Sequence, residues 1–225
     1  MIKEIVLDNT SVKYQITFKK NKNTYFYFKR KGYIQINASK YQKEKEILKF
    51  MKKNSESFVK KFNRSLVLNL TDDAYRIWGI EYRITRDIEN KNIVIDHNLL
   101  EVKEPDLAID QLDNFYKIIE KEIIMSEAKK LKMKYLNNGL IDISDIIIKT
   151  RYTTSRFGSC NYRLKTINLN LKLVHYDKQF IEYVFLHEIA HLIHQNHSKD
   201  FYLLLSKLCP SYKELKKELN RKFKR

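Results

Sequence analysis

The sequence predicts an α+β fold, with a β-rich amino-terminal region over residues 1–104 and a helix-dominated region holding a small sheet over 105–225. Three observations point there. Apolar residues alternate in the first hundred positions, as in Val12, Tyr14, Ile16 and Phe18. After Pro105 the pattern changes, with Leu112, Phe115, Ile119, Ile123, Ala128, Leu131 and Tyr135 recurring at helical intervals. Only four Gly and two Pro occur in 225 residues, so neither a long flexible linker nor a low-complexity segment is expected.

The elements follow in order. Residues 12–38 read as strands, interrupted by the polar turn at 19–23 and by Gly32. From Gln42 to Phe62 the positions Ile47, Phe50, Met51, Phe58, Val59 and Phe62 suit one helix. Short strands are expected at Leu66–Leu70, Tyr75–Trp78, Ile80–Ile84 and Ile93–Ile95. A long helix over Ile109–Leu136 has a plausible end at Asn137-Asn138-Gly139. Strands are then expected near Ile146–Tyr152 and at Thr166–Leu171, with Gly158 in a turn between them. Asp177 can cap a helix reaching His194, and two more helices are expected, one after Ser198 and one from Ser211.

Composition narrows the function classes. No apolar run reaches the ~20 residues needed to span a bilayer, and the start lacks the pattern of a secretory leader. Two cysteines, Cys160 and Cys209, are too few for a disulfide framework, so a cytoplasmic protein with no membrane association is expected. The net charge of +17 makes nucleic acid or another polyanion a candidate partner of the basic surface, although no nucleic-acid-reading motif accompanies it. Nothing in the sequence points to an oligomeric state.

The chemistry is concentrated in His187-Glu188-Ile189-Ala190-His191. Four residues apart on a helix, His187 and His191 share one face and can offer imidazole nitrogens to one ion, with Glu188 beside them to take a proton from water. Chance alone produces this pattern in on the order of one chain in a hundred, so its context matters. Apolar neighbours from Ile181 to Ile193 can pack the helix. A catalytic zinc usually has three protein ligands. His197, just past the helix end, is a candidate for the third place; His194 and His175 compete for it, but the first is expected as a neighbour of the site or simply an exposed residue, and the second as a loop residue. Glu182 points away from the histidine face and is expected in solvent. Cys160 lacks any cysteine-protease surroundings and reads as a packing residue.

Arg156-Phe157-Gly158-Ser159-Cys160, the strand Ile167–Leu171, the segment Tyr183–His191, and Asn196-His197-Ser198 with Phe201 together resemble the YgjP-like metallopeptidase family, a relative of the SprT-like proteases. The resemblance is strongest over residues 145–215; Phe157 stands where the family has Trp and Ile189 where it has Leu. It implies a zincin-like catalytic domain, with an active-site helix packed on a small sheet. It also implies one zinc ion per chain on His187, His191 and His197, and Glu188 as the catalytic carboxylate, acting on protein or peptide. A peptide substrate is then expected along a sheet edge, for which Thr166–Leu171 is the candidate, and Arg156 is the candidate oxyanion stabiliser. Two other functions compete: a zinc hydrolase of nucleoside triphosphates or another phosphate substrate, and a nucleic-acid-binding protein with a structural metal. Glu188, which a structural zinc site does not require, weighs against the last.

Overall fold

The structure is a computed structural model that describes residues 2–29, 32–65, 74–87, 92–105, 107, 109–137, 139, 141–153 and 155–223. It divides into two compact units, Met1–Val67 and Leu68–Arg225. The fold class is α+β, as expected. The strand expected at Leu66–Leu70 lies outside the described residues, as does Asn138.

The first unit holds β1 (Lys3–Leu7), β2 (Thr10–Lys19), β3 (Tyr25–Lys29), β4 (Tyr33–Ser39), α1 (Glu44–Lys53) and α2 (Ser55–Ser65). Its sheet runs β1-β2-β4-β3, with β2 and β4 parallel and the other pairs antiparallel. Strand β1, not anticipated from the sequence, joins β2 through Asp8 and Asn9, both at positive φ (43° and 59°), as a tight two-residue hairpin requires. The single helix expected over 42–62 is two. Asn54 ends the first: its side chain donates to the Phe50 carbonyl at 2.9 Å and competes with the helical ladder. Ile47 and Met51 from α1 and Phe58 and Phe62 from α2 cover one sheet face, where Val12, Ile34 and Ile36 are fully buried.

The second unit begins with β5 (Ala74–Ile77), β6 (Ile80–Asp87), β7 (Val94–Asp96) and β8 (Glu101–Pro105), in the order β5-β6-β8-β7. Helix α3 (Ile109–Leu136) follows, matching its expected range, and then β9 (Ile147–Arg151), β10 (Gly158–Asn161) and β11 (Thr166–Asn170). A 3-10 turn (Leu171–His175) leads into α4 (Lys178–Ile193), and α5 (Lys199–Leu208) and α6 (Tyr212–Phe223) complete the unit. No described helix is long and apolar enough to cross a membrane.

Two sequence expectations about the second sheet need correction. Its order is β10-β11-β9, so Thr166–Asn170 is the central strand and not an edge. Gly158 does not lie in a turn: it opens the edge strand β10, paired antiparallel with Leu169. Gly-Ser-Cys-Asn has none of the β-branched or aromatic residues that mark a strand, and the ladder comes from its neighbour β11.

Helix α4 is the centre of this unit. Phe180, Ile181, Phe185, Leu186, Ile189 and Ala190 are buried around most of its circumference, while Ile193 at its end is half exposed. The hairpin tip between β5 and β6 braces its start. Trp78 donates its backbone N–H to the Val174 carbonyl at 2.7 Å, and Gly79, at φ +81°, lies so close to Asp177 that a side chain there would collide with the carboxylate. Asp177 occupies the cap position, but its carboxylate accepts from Lys222 at 2.8 Å instead of from the helix amides.

Helices α3 and α4 are tied at Glu182. Its carboxylate is not simply solvated: it accepts from Lys134 and from the Tyr135 hydroxyl, each at 2.6 Å. Burial pushes the carboxyl up, but these two bonds outweigh it and hold the group below its ordinary range. A carboxylate with a lowered folded pKa stabilises above the unfolded pKa, and that stability is lost as pH falls through the folded value. Thermal melts should therefore show Glu182→Gln less stable than the wild type at pH 7, with the difference shrinking toward pH 3; an equal difference at both pH values would contradict this role.

Candidate metal centre

Three side chains converge at the carboxyl end of α4. His187 and His191 lie one helical turn apart, and His197 returns from the loop before α5, so that one ligand nitrogen from each lies within 4.8 Å of the others. The Nε2 atoms of His187 and His197 are 3.2 Å apart. The turn is fixed by Ser198, whose hydroxyl accepts the Phe201 N–H at 3.2 Å and caps α5. That cap places the fully buried Phe201 ring beneath all three imidazoles, at centroid distances of 5.1, 4.6 and 4.7 Å from His187, His191 and His197. Tyr202 stacks on the outer side of His197 at 6.0 Å.

The protonation states suit a cation. Burial, reinforced by the neighbouring histidines and Lys216, drives His187 down to about 3. Burial followed by His191 and Lys216 lowers His197 as well. Both rings are therefore neutral at pH 7, with lone pairs available. His191 bonds through Nδ1 to the His194 carbonyl at 3.0 Å, which orients the ring and leaves Nε2 to face its partners. His194 thus supports the cluster with its backbone, in the role of a neighbour. His175 is not a loop residue: it is buried in the 3-10 turn, bonded to the Arg76 carbonyl at 2.8 Å and set 3.2 Å from Glu120.

Glu188 is buried beside the cluster, at 6% exposure. Burial raises its carboxyl to about 8, against the opposing charge of Arg156. Its side chain lies on Gly158 of β10, where an added Cβ would stand 2.6 Å from Oε1 and 2.8 Å from Cγ. The absence of a side chain at 158 is what lets strand and carboxylate come this close. Cys160, on the same strand, is half buried, and burial with the nearby Glu188 pushes its thiol up to about 11, so it is no nucleophile.

Asn170 is a supporting residue that no sequence motif singles out. This residue, 2% exposed, donates from Nδ2 to the Thr153 carbonyl at 2.8 Å and the Arg156 carbonyl at 2.7 Å, and accepts the Lys172 N–H at 3.0 Å. Its own N–H bonds the Phe157 carbonyl at 2.8 Å. One buried amide thus pins the segment that carries Arg156 and Gly158 toward Glu188. Asn170→Ala should destabilise the chain by on the order of 2–3 kcal/mol in urea denaturation, because buried carbonyls lose their donors; a loss below ~0.5 kcal/mol, the range of surface substitutions, would contradict the assignment.

Comparison with known proteins adds a family. The model of the YgjP-like, metallopeptidase domain family matches residues 22–222, well beyond the segment 145–215 where the resemblance is strongest. No curated protein matches the chain. Among solved structures, the metallopeptidase zymogen of Pyrococcus abyssi abylysin aligns at 20% identity and a TM-score of 0.36, covering 46% of this chain and 95% of that one. The metallopeptidase zymogen of Methanocaldococcus jannaschii jannalysin aligns at 22% identity and a TM-score of 0.36, covering 44% of this chain and 95% of that one. A TM-score of 0.36 transfers neither fold nor activity. The family match spans most of the sequence and includes every residue of the histidine cluster and Glu188: the chain belongs to the YgjP-like metallopeptidase family.

Proposed function

We propose that the chain is a zinc-dependent peptidase holding one zinc ion on His187, His191 and His197, with Glu188 as general base. The observation that carries the reading is the convergence of three imidazoles, those of His187 and His197 held neutral, beside a buried carboxylate. Nitrogens bound at 2.0–2.1 Å to one tetrahedral zinc stand roughly 3.3 Å apart, and the 3.2 Å between His187 and His197 Nε2 fits that demand. Three nitrogen donors, with no fourth side chain in the cluster among the described residues, match the donor set of a catalytic zinc rather than a closed structural one.

A zinc ion bound there supplies a Lewis acid that acidifies water toward a pKa of about 7. The chain's own residues then handle binding and protons. Glu188 takes the proton of the attacking water on its carboxylate and returns it to the leaving amine. In the metal-free chain burial keeps Glu188 protonated near neutral pH; Arg156, and any cation held by the flanking histidines, favours the ionised base. Arg156, exposed and within electrostatic reach of Glu188, is the candidate to steady negative charge on the substrate oxygen. The substrate edge is β10. As an edge strand beside Glu188, it offers main-chain groups to an extended peptide, with little demand on sequence.

Casein, a peptide library and a nucleoside triphosphate should be tested side by side with zinc-loaded protein. Peptide hydrolysis is expected, and Glu188→Gln should lower it by on the order of 10²–10⁴-fold while one zinc stays bound. Turnover of the triphosphate alone would make the protein a phosphohydrolase, and activity unchanged in the variant would remove Glu188 from the mechanism. Gly158→Ala should lower peptide hydrolysis by roughly tenfold or more at unchanged zinc content, because its Cβ displaces the carboxylate. Wild-type rates in that variant would show that the contact does not position the base.

A further inference from the structure

Charge is divided unevenly along this chain. Residues 1–67 carry 17 Lys and Arg against 5 Asp and Glu, a net +12 of the chain's +17; the remaining 158 residues carry +5. The histidine cluster lies wholly in the second unit, so peptide hydrolysis leaves the basic first unit unexplained.

One face of the first unit's sheet packs against α1 and α2. The other has a different chemistry. Tyr25 and Tyr27 project from the edge strand β3, each 48% exposed, about 7 Å apart on the same face. Behind them the ladder sets polar rows across the sheet: Tyr27, Gln35 and Gln15 in one, Tyr25, Asn37 and Thr17 in the next. The Gln35 amide donates to the Thr17 hydroxyl at 3.0 Å and to Asn37 Oδ1 at 3.4 Å, a connected set of donors and acceptors. Lys13 and Lys19 stand on this face at either end of the two rows. Glu4 is the only carboxylate in the four strands.

We propose that this outer sheet face binds single-stranded RNA, with Tyr25 and Tyr27 each stacking one base. Aromatic rings on an open sheet serve as platforms for unstacked bases, and amides between them can bond base edges and ribose hydroxyls. The surrounding lysines supply the attraction to phosphate that the first unit's charge implies. An anionic lipid surface or an acidic protein would use the same charge but would not need two rings on a face of amides. Duplex nucleic acid offers no free base faces to the tyrosines.

Anisotropy of a fluorescein-labelled 12-nucleotide oligo(U), titrated with the full chain at 50 mM and 200 mM salt, tests the proposal. Binding is expected at low salt and should weaken steeply at high salt. The double substitution Tyr25→Ala/Tyr27→Ala should weaken binding tenfold or more. Tyr25→Phe/Tyr27→Phe should leave it within about twofold, because the rings remain. Circular dichroism melts establish that both variants fold. Glu188→Gln should bind as the wild type does, so failure of the peptidase reading would leave this one standing. No binding at low salt overturns the proposal. So does equal binding by the alanine variant, or stronger capture of an RNA duplex or of anionic phosphatidylserine vesicles, since charge alone would then account for the surface.

Discussion

Helix α4 has to meet two opposed demands, and the second unit is arranged around them. To hold a fixed position it must be buried on most sides, which it achieves with Phe180, Ile181, Phe185, Leu186, Ile189 and Ala190. Yet it must also bring two imidazoles and a carboxylate to one strip without leaving them as buried charges, which would cost several kcal/mol each. The conflict is resolved by protonation state. His187 and His197 are held neutral, and Glu188 is raised to about 8 in the metal-free chain. Such a site favours the arrival of a cation, because the cation turns a desolvated carboxyl into a paired one.

Elements around the helix supply what α4 cannot. Capping by Ser198 sets the start of α5, returns His197 to the cluster and places Phe201 under the three rings. Strand β10 brings a residue without a side chain against Glu188, and Asn170 on β11 fastens the segment leading into β10. The positions of Glu188, the histidines and the candidate substrate edge therefore derive from one small sheet and two short turns. Few of these contacts are large, but each fixes an angle or a separation. The first unit carries none of the cluster. Its excess charge and tyrosine-bearing sheet face give it a separate chemistry.

The histidine cluster was legible because its information is local. His187 and His191 are linked by helical periodicity, and the short distance in sequence to His197 made its return plausible. Long helices were legible for the same reason, and α3 follows its apolar spacing from end to end. Strand β10 was not, since Gly-Ser-Cys-Asn has no β-forming pattern and owes its ladder to β11. Nor was the central place of β11, because strand order depends on pairing between distant segments and not on the strand's own residues. His175 looks like a loop residue in one dimension and Asn170 like an ordinary strand position; their burial comes from partners such as Arg76, Glu120 and Thr153, which only tertiary structure supplies. Asn54 hid the break between α1 and α2, since the apolar spacing continues across it.

Zinc-edge X-ray absorption on the purified, zinc-loaded chain tests the account most directly. Three imidazole nitrogens and one further light atom are expected around the metal at about 2.0–2.1 Å, falling to two imidazoles in His197→Ala. A sulfur neighbour at about 2.3 Å would place Cys160 or Cys209 on the metal, and an imidazole count unchanged by that substitution would remove His197. Either result would contradict the three-histidine centre.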